Sequence, residues 1–223
     1  MSNERLAEIG AAIAAEAARF AAFGWMRGTS GNLSMVVSRD PLWLAVTASG
    51  LDKGALTPAG IVVVDAAGQP VAEAADVGAD VAVDVAVDVE GSAVGAAPVR
   101  PSAESALHAR IAGVTGAGAV VHLHTVAAVV AGRRWPRGVE LSDLEMLKGI
   151  GVAAAGERVR VPVIGNSQDM AELGDRFVAA RDPRVPAVVV ADHGMYAWGG
   201  DLLQVRHHTE VVQWLLEATI ALS

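Results

Sequence analysis

The chain lacks cysteine, is poor in aromatic residues and has no long apolar run. Without cysteine it forms no disulfide bond, and a metal site would have to use nitrogen and oxygen ligands. Apolar residues make up 52% of the sequence, largely as Ala and Val, but no run reaches the roughly 18 residues of a membrane span. Residues 1–5 do not have the pattern of a signal peptide. We therefore expect a cytoplasmic protein that does not enter a membrane.

The sequence also has no excess of positive charge. The net charge is −8, and nothing in the sequence resembles a basic surface for nucleic acid. Much of the negative charge comes from six acidic residues between residues 71 and 99, where there is no Lys or Arg. Val recurs there at every second position and Asp at every fourth, so we interpret residues 72–97 as a low-complexity insertion, either a loop or an edge hairpin. The 223 residues otherwise suit one domain, residues 1–223, with a sizeable core.

Apolar periodicity predicts alternating helices and strands. Helices are predicted at residues 4–23, 102–112 (with Ser102 as N-cap), 125–131, 142–147, 169–180 and 201–222. Strands are predicted at residues 33–37, 42–47, 61–65, 119–124, 159–164, 187–191 and 195–198. Several strands are joined by short turns, which favours an α/β fold with a mixed sheet and helices on both of its faces.

Two histidines alternate with apolar residues in the strand predicted at residues 119–124. Side chains at positions i and i+2 point to one face of a strand, so His122 and His124 present their imidazoles together. On spacing alone, they are also compatible with two ordinary histidines at a strand end. His193, in an Asp-His-Gly segment, supplies a third imidazole, and three protein ligands with one open position are how a catalytic zinc is held. Imidazole suits zinc better than magnesium, so we predict one zinc ion at these three histidines.

Three loops carry groups that suit a phosphate or a carboxylate. Residues 28–34 and 47–54 combine glycines with hydroxyl side chains, and the second loop adds the cation of Lys53. Residues 100–105 open a helix with serines, and a helix N-terminus attracts anions. Taken alone, each loop is also compatible with a tight turn, a polar loop or a capped helix start.

Two glutamates are candidates for acid–base chemistry. Glu104, in the first turn of a predicted helix, is a metal ligand, a proton carrier or an acid favoured by the helix dipole. Glu145 lies in an otherwise apolar helix, as a general acid or base would, with a surface position as the alternative. His108 is interpreted as a packed histidine, and residues 166–169 as the N-capped start of a helix.

Read together, five segments resemble the class II aldolase/adducin family. They are residues 28–34, 47–65, 101–108, 120–125 and 193–199. The resemblance implies a three-layer α/β/α sandwich with a central mixed sheet. It also implies one zinc ion per subunit, bound by His122, His124 and His193, and a small sugar phosphate as substrate. The loops that would bind the phosphate contain Gly31, Asn32, Ser49, Gly50 and Ser102, with Lys53 beside them.

Within the family, the activity depends on further segments. Residues 144–149 and 161–169 resemble a branch whose members dehydrate a ketose phosphate, and this resemblance makes Glu145 the catalytic acid/base. In the aldolases of the family, the glutamate at the position of Glu104 has that role. An aldolase or epimerase acting on another sugar phosphate is therefore an alternative. A non-catalytic interaction module, as in the adducin branch, is a second alternative that the three retained histidines disfavour.

The resemblance also implies a homotetramer with active sites near the subunit boundaries. Trp214, Leu215 and Leu216 of the terminal helix are apolar side chains that suit such an interface. Neither nucleic acid nor a membrane is expected as a partner.

Overall fold

Helices and strands alternate along residues 2–71 and 99–223, which are the residues that this computed structural model describes. The helices are α1 (Asn3–Ala22), α2 (Ser105–Thr115), α3 (Val126–Arg134), α4 (Met170–Ala180) and α5 (Leu202–Ala221), with short 3-10 helices at Pro58–Gly60 and Glu145–Ile150. The strands are β1 (Asn32–Arg39), β2 (Leu42–Thr47), β3 (Ile61–Val64), β4 (Ala119–Leu123), β5 (Val139–Ser142), β6 (Arg158–Val161), β7 (Val163–Ile164), β8 (Ala187–Val190) and β9 (Gly194–Gly199). None of the helices in these residues combines the length and the apolar character that crossing a bilayer requires.

Seven of the strands form one sheet in the order β3-β2-β1-β4-β9-β8-β7. Neighbouring strands are antiparallel except for β7 and β8, which are parallel, so the sheet is mixed as predicted. β4 lies between β1 and β9, and its register sets His122 opposite Asn32 on one side and Tyr196 on the other. Directly opposite residues share a face of the sheet, so side chains from three strands meet in one row.

Helices cover the sheet on both faces, which confirms the predicted three-layer α/β/α sandwich. Apolar side chains of α1, α3 and α5 join Val121 and Leu123 of β4 in one core cluster. Apolar side chains of α2 and α4 join Val120 of β4 and Tyr196 of β9 in a second cluster. Every residue of β4 is buried, because alternate side chains of this central strand enter one cluster or the other. His122 therefore points to the same side as Val120, towards α2.

A proline separates two strands where the sequence predicts one strand at residues 159–164. β6 pairs with β5 in a separate two-stranded ribbon, whereas β7 pairs with β8 at the edge of the large sheet. Pro162, between β6 and β7, has no N–H to donate and cannot continue a ladder on both sides. The ribbon of β5 and β6 is an element that the sequence pattern does not predict.

Two predicted helix starts are also wrong. The sequence predicts a helix at residues 142–147, but Ser142 ends β5 and the chain enters a 3-10 helix only at Glu145. α2 begins at Ser105 with Glu104 at the N-cap position, not with Ser102 there. The Ser102 hydroxyl instead accepts a 3.3 Å hydrogen bond from the backbone N–H of Glu104. The backbone carbonyl of Ser102 accepts a 3.1 Å hydrogen bond from the backbone N–H of Ser105. The chain thus makes an extra turn before α2, and Glu104 stands at the junction.

The insertion at residues 72–97 lies outside the described residues, but its two flanks are tied to paired strands. The N–H of Val71 donates to the carbonyl of Val63 in β3 at 3.0 Å, and the N–H of Ser49, just after β2, donates to the carbonyl of Arg100 at 2.9 Å. Both flanks are therefore anchored on β2 and β3, which are neighbours in the sheet.

We expect deletion of residues 74–96, closed with a short glycine-containing turn, to leave metal content and activity nearly unchanged. A twofold change in loop length alters the closure entropy by only about 0.6 kcal/mol, and the segment has no recognisable ligand set. Metal analysis, an activity assay and thermal unfolding, each beside the full-length chain, check this. A deletion variant that fails to fold or to assemble would show that the Val-rich stretch is a structural or interface element.

Candidate active site

Three histidine rings meet at the carboxyl end of β4. His122 is in β4, His124 follows the last residue of that strand, and His193 lies in the turn between β8 and β9. The Nε2 atoms are 2.8 Å apart in His122 and His124, 3.0 Å apart in His124 and His193, and 3.3 Å apart in His122 and His193. The rings stand at 71° to 78° to one another. The structure thus brings the three predicted ligands together, with their nitrogens converging.

This triangle of nitrogens fits a divalent metal better than a set of hydrogen bonds. Zn–N bonds of about 2.0–2.1 Å place tetrahedral ligand atoms roughly 3.3 Å apart, close to the observed spacing. Each hydrogen bond would need one N–H and one lone pair, but Nδ1 of His122 lies 3.0 Å from the carbonyl oxygen of Met195 and donates to it. Nε2 of His122 therefore carries a lone pair directed at the other two rings. A donor set of this kind is what a metal ion requires.

The carboxylate of Glu104 completes the group. Its oxygens lie 3.3 Å from Nε2 of His122 and 3.2 Å from Nε2 of His193, and one of them accepts a 2.7 Å hydrogen bond from Nδ2 of Asn32. Burial by itself would raise the pKa of Glu104, but the adjacent His122 and the Asn32 hydrogen bond outweigh it and lower the pKa to about 2. One ligand atom from each of the four side chains lies within 4.8 Å of the others. Glu104 is therefore an anion in contact with the histidine cluster.

A buried polar layer behind the histidines centres on Tyr196. Its ring stacks on His122, with centroids 4.1 Å apart and 17° between the ring planes. The buried hydroxyl faces the carboxylate of Glu104, and burial together with this negative charge raises the pKa of Tyr196 well above its usual value. His122 has no exposed surface, and burial lowers its pKa to about 3. Its neutral ring, the form that binds metals, is thereby favoured.

His108 belongs to the same layer and is a packed histidine, as its position on the apolar side of a helix predicts. It lies on α2, is fully buried and shares a 2.7 Å hydrogen bond between its Nδ1 atom and the hydroxyl of Ser34. Its ring meets that of Tyr196 edge-on at 5.6 Å. Burial lowers the pKa of His108 to about 4, so the folded protein disfavours a charge at this position.

We expect the metal-free protein to lose stability as the pH falls from about 6.5 towards 4. Between the two pKa values the unfolded chain binds a proton at His108 and the folded protein does not, which favours unfolding. This residue has no such effect above about pH 7 and lowers the free energy of unfolding by about 2–3 kcal/mol at pH 4.5. Urea unfolding at about pH 7 and at about pH 4.5 measures this effect. Between these two pH values, the free energy of unfolding should fall less in a His108→Asn variant than in wild type. An equal loss in the two proteins would exclude His108 as the cause.

The predicted phosphate-binding residues share one cavity with the histidine cluster. The cavity has a volume of about 280 Å³ and is lined by His124, His193 and Glu104, with His122 buried behind them. All six residues predicted to bind phosphate also line it, namely Gly31, Asn32, Ser49, Gly50, Lys53 and Ser102. Segments that are far apart in sequence therefore surround a single space, as the two sets of predictions require.

Three further lining residues come from a segment in which the sequence indicates only a helix start. Ser167, Gln168 and Met170 face the cavity from the N-terminal end of α4. Asp169 caps that helix, since its side chain accepts hydrogen bonds from the backbone N–H groups of residues 171 and 172. A cap motif reveals where a helix begins, but the pairing of β7 with β8 decides where that helix start lies in the fold.

Lys53 lines the cavity but is buried, and its ammonium group holds two loops together. Nζ donates to the carbonyl oxygens of Thr29 at 3.2 Å and Leu51 at 2.8 Å. Burial lowers the pKa of Lys53, while the charge of Asp52 opposes this shift. Two of its three N–H donors are thus used to fix the loops beside one another, and one remains for a ligand.

Glu145 does not line this cavity. Its side chain is 77% exposed at the start of the 3-10 helix and pairs with Lys148. Its sequence neighbours Met146 and Leu147 pack into the core instead. The apolar surroundings expected for this carboxylate are therefore not found among the described residues of one chain.

The chain matches the Class II Aldolase and Adducin N-terminal domain over residues 11–220, and it belongs to the class II aldolase/adducin family. Solved structures of L-fuculose 1-phosphate aldolases have the same fold. One has a TM-score of 0.65 and 20% identity over 96% of this chain and 85% of its own. Another, from Thermus thermophilus, has a TM-score of 0.62 and 20% identity over 98% of this chain and 94% of its own.

Curated relatives that are more similar in sequence carry the name methylthioribulose-1-phosphate dehydratase. The protein of that name from Geobacillus kaustophilus (strain HTA426) is 34% identical over 200 residues, which are 89% of this chain and 84% of the relative. The one from Persephonella marina (strain DSM 14350 / EX-H1) is 31% identical over 196 residues, 87% of this chain and 80% of the relative. The resemblance of the chain to the dehydratase branch is thus confirmed, and the chain is an enzyme of the lyase class.

Proposed function

We propose that this chain is a zinc-dependent methylthioribulose-1-phosphate dehydratase. It converts 5-methylthioribulose 1-phosphate to 2,3-diketo-5-methylthiopentyl 1-phosphate, a step of methionine salvage. The observation that carries the proposal is the convergence of three imidazole nitrogens and a carboxylate at a cavity whose other walls are loops rich in glycine and hydroxyl groups. Similarity to dehydratases of this name over most of the chain supports the choice of substrate.

The metal of the proposed enzyme is zinc, bound through Nε2 of His122, His124 and His193. Imidazole ligands suit a borderline metal, and the chain has no cysteine that could supply a softer thiolate ligand. When bound, zinc acts as a Lewis acid that polarises the substrate ketone and acidifies the neighbouring C–H bond. Glu104 touches two of the three rings and so helps to fix their orientation.

The phosphate group of the substrate binds at the loops that line the cavity. Ser49 and Ser102 offer hydroxyl donors there, the glycine loops offer backbone N–H groups, and Lys53 adds a positive charge. Gly31 and Gly50 have φ angles of +75° and +78°, which glycine adopts without strain. At Gly31 an added Cβ atom would lie 2.9 Å from the carbonyl oxygen of His122. A phosphate held at these loops orients the carbon chain of the substrate along the cavity.

Glu145 is the proposed proton carrier for departure of the C4 hydroxyl group as water. Its carboxyl group is exposed and lies outside the cavity of its own chain. It reaches the substrate only if the 3-10 helix of a neighbouring subunit closes over that cavity. The proposed role therefore requires an oligomer with each active site at a subunit boundary.

We expect the protein to be a homotetramer in solution. Of the three terminal-helix residues expected at an interface, only Trp214 is exposed, at 43%, because Leu215 and Leu216 are buried in the core of their own chain. Val126 and Leu203 are further large apolar side chains that stay exposed, at 71% and 52%, and such side chains suit an interface. Light scattering measures the mass. A fully active monomer at micromolar concentration would exclude both the tetramer and the shared site.

Product analysis with 5-methylthioribulose 1-phosphate tests the proposed function. Dehydration removes the C3 proton and the C4 hydroxyl group and leaves a diketone phosphate. Aldol cleavage breaks the C3–C4 bond and releases dihydroxyacetone phosphate and methylthioacetaldehyde. Cleavage is the second candidate, because Glu104, to which the family resemblance assigns the aldolase role, touches two of the histidines. The diketone phosphate as sole product supports dehydration, whereas release of the two fragments would show an aldolase.

A further inference from the structure

A second cavity, larger than the candidate active site, is lined by five arginines. It encloses about 630 Å³ between the β5–β6 ribbon, the start of β7 and the C-terminal end of α4, and we call it the arginine cleft. Its charged lining residues are Arg137, Arg158, Arg160, Arg181 and Arg184, with the carboxylates of Glu140 and Asp182. Five guanidinium groups against two carboxylates leave an excess of three positive charges, on a chain whose net charge is −8.

Two of the arginines are held in place by these carboxylates. Arg160 pairs with Glu140 at 2.8 Å across the ribbon and donates to the carbonyl of Arg137 at 3.4 Å. Its aliphatic stem lies against Gly138, where any side chain would collide with it. Arg184 pairs with Asp182 at 2.9 Å. Both guanidinium groups are therefore ion-paired, and their side chains stay 57% and 55% exposed.

The other three, Arg137, Arg158 and Arg181, make no ion pair within residues 2–71 and 99–223. Glu157 acts on Arg184 from outside the cleft, and the end of α4 adds a partial negative charge of about half an elementary charge. Neither contribution cancels the excess. Like charges gathered around one cavity repel one another, and a bound anion would relieve that repulsion.

We propose that the arginine cleft binds a small organic anion that carries two or more phosphate groups. Planar guanidinium groups bind phosphate through paired hydrogen bonds. The cleft volume lies within the roughly 300–1,000 Å³ that is usual for small-molecule sites, much more than a single phosphate fills. The other lining residues are apolar and suit a ring attached to the phosphates. They are Val159, Pro162, Val163, Ala179, Ala180 and Pro183.

The arginine cleft is separate from the candidate active site. Met170, at the first turn of α4, lines the active-site cavity, whereas Ala179 and Ala180, at its last turn, line the cleft. A helical rise of about 1.5 Å per residue places these two ends about 14 Å apart. The two cavities therefore lie at opposite ends of one helix, and each can be altered without touching the other.

Calorimetric titration of the full-length protein with ATP, and separately with inorganic tripolyphosphate, tests the proposal at constant salt. Wild type should bind both, and ATP more tightly because of its ring. An Arg137→Gln/Arg158→Gln variant should bind both about tenfold or more weakly, since charge-assisted bonds to phosphate are lost. The matched control, Arg5→Gln/Arg110→Gln, removes two exposed arginines outside the cleft and should bind as wild type does.

Two further measurements distinguish a failure of this proposal from a failure of the proposed function. His124→Ala should bind ATP as wild type does, since the cleft does not involve the histidines, and the double variant in the cleft should keep full activity. Equal ATP affinity in wild type and the cleft variant would overturn the proposal, as would loss of ATP binding in His124→Ala. If wild type binds neither anion and the cleft variant changes the molecular mass, the cleft is a contact between copies and the proposal fails.

Discussion

Replacing His124 by alanine is expected to abolish metal binding and to lower kcat/KM by about 10³-fold or more. A metal ion contributes several kcal/mol of transition-state stabilisation, and about 1.4 kcal/mol corresponds to a factor of ten. His124 is the ligand to remove because it is exposed, whereas His122 is buried under the ring of Tyr196. Elemental analysis should show about one metal ion per wild-type chain and almost none in the variant.

The control is His207→Ala, which removes another exposed histidine from α5, outside the cluster. This variant should retain its metal, its activity and its unfolding transition. If His124→Ala keeps one metal ion per chain, His124 is not a ligand. If metal-free wild type is fully active, the metal has no part in the reaction.

Replacing Glu145 by glutamine is expected to lower turnover by about 10²-fold or more, the usual scale of general acid–base catalysis. The fold and the metal content should be unaffected, because the carboxylate is exposed and Lys148 is its only side-chain hydrogen-bond and ion-pair partner among the described residues. Steady-state kinetics and metal analysis measure the two effects separately. Glu8→Gln, an exposed glutamate on α1, is the matched control and should behave as wild type.

The corresponding change at Glu104 distinguishes the two assignments of the acid/base. Glu104→Gln removes a negative charge that contacts His122 and His193, and we expect the metal affinity to fall about 10- to 100-fold. If Glu104→Gln abolishes turnover at saturating metal while Glu145→Gln does not, the aldolase assignment of roles is the correct one.

Mixed oligomers test whether Glu145 acts on a neighbouring subunit. Each of His124→Ala and Glu145→Gln should be nearly inactive alone. When they are co-expressed, some sites combine the intact histidines of one chain with the intact Glu145 of the next. In a random mixture of symmetric oligomers, activity should recover to about a quarter of the wild-type value per site. No recovery would place the acid and the metal in the same chain.

The strands and helices follow from local patterns, with exceptions that have physical causes. Residues 119–124 are predicted as a strand and form β4, because an apolar run of that length suits a strand buried on both faces. Residues 159–164 are predicted as one strand and form two, because Pro162 lies between partners in different sheets. The helix after Ser102 begins late, because the serine hydroxyl bonds within a preceding turn.

The candidate site follows from the sequence only in part. His122 and His124 share a face because of strand geometry, but the approach of His193 depends on the pairing of β4 with β9. Tyr196 lies among apolar residues in its strand, so its sequence context predicts only a core position. Its register opposite His122 is what places it behind the metal ligands. Gln168 lines the cavity, but it belongs to a segment whose residue pattern indicates only the start of a helix.

By itself, the sequence determined the order of helices and strands, the mixed sheet with helices on both faces, and the side chains suited to hold a metal and a phosphate. These follow from periodicity and residue chemistry, which are local properties of the chain. Only the tertiary structure decided that Tyr196 supports His122, that Lys53 joins two loops, that Glu145 is not part of the cavity of its own chain, and that five arginines line a second cavity. Each of these depends on register and packing between segments far apart in the chain, and side-chain pattern does not encode that proximity.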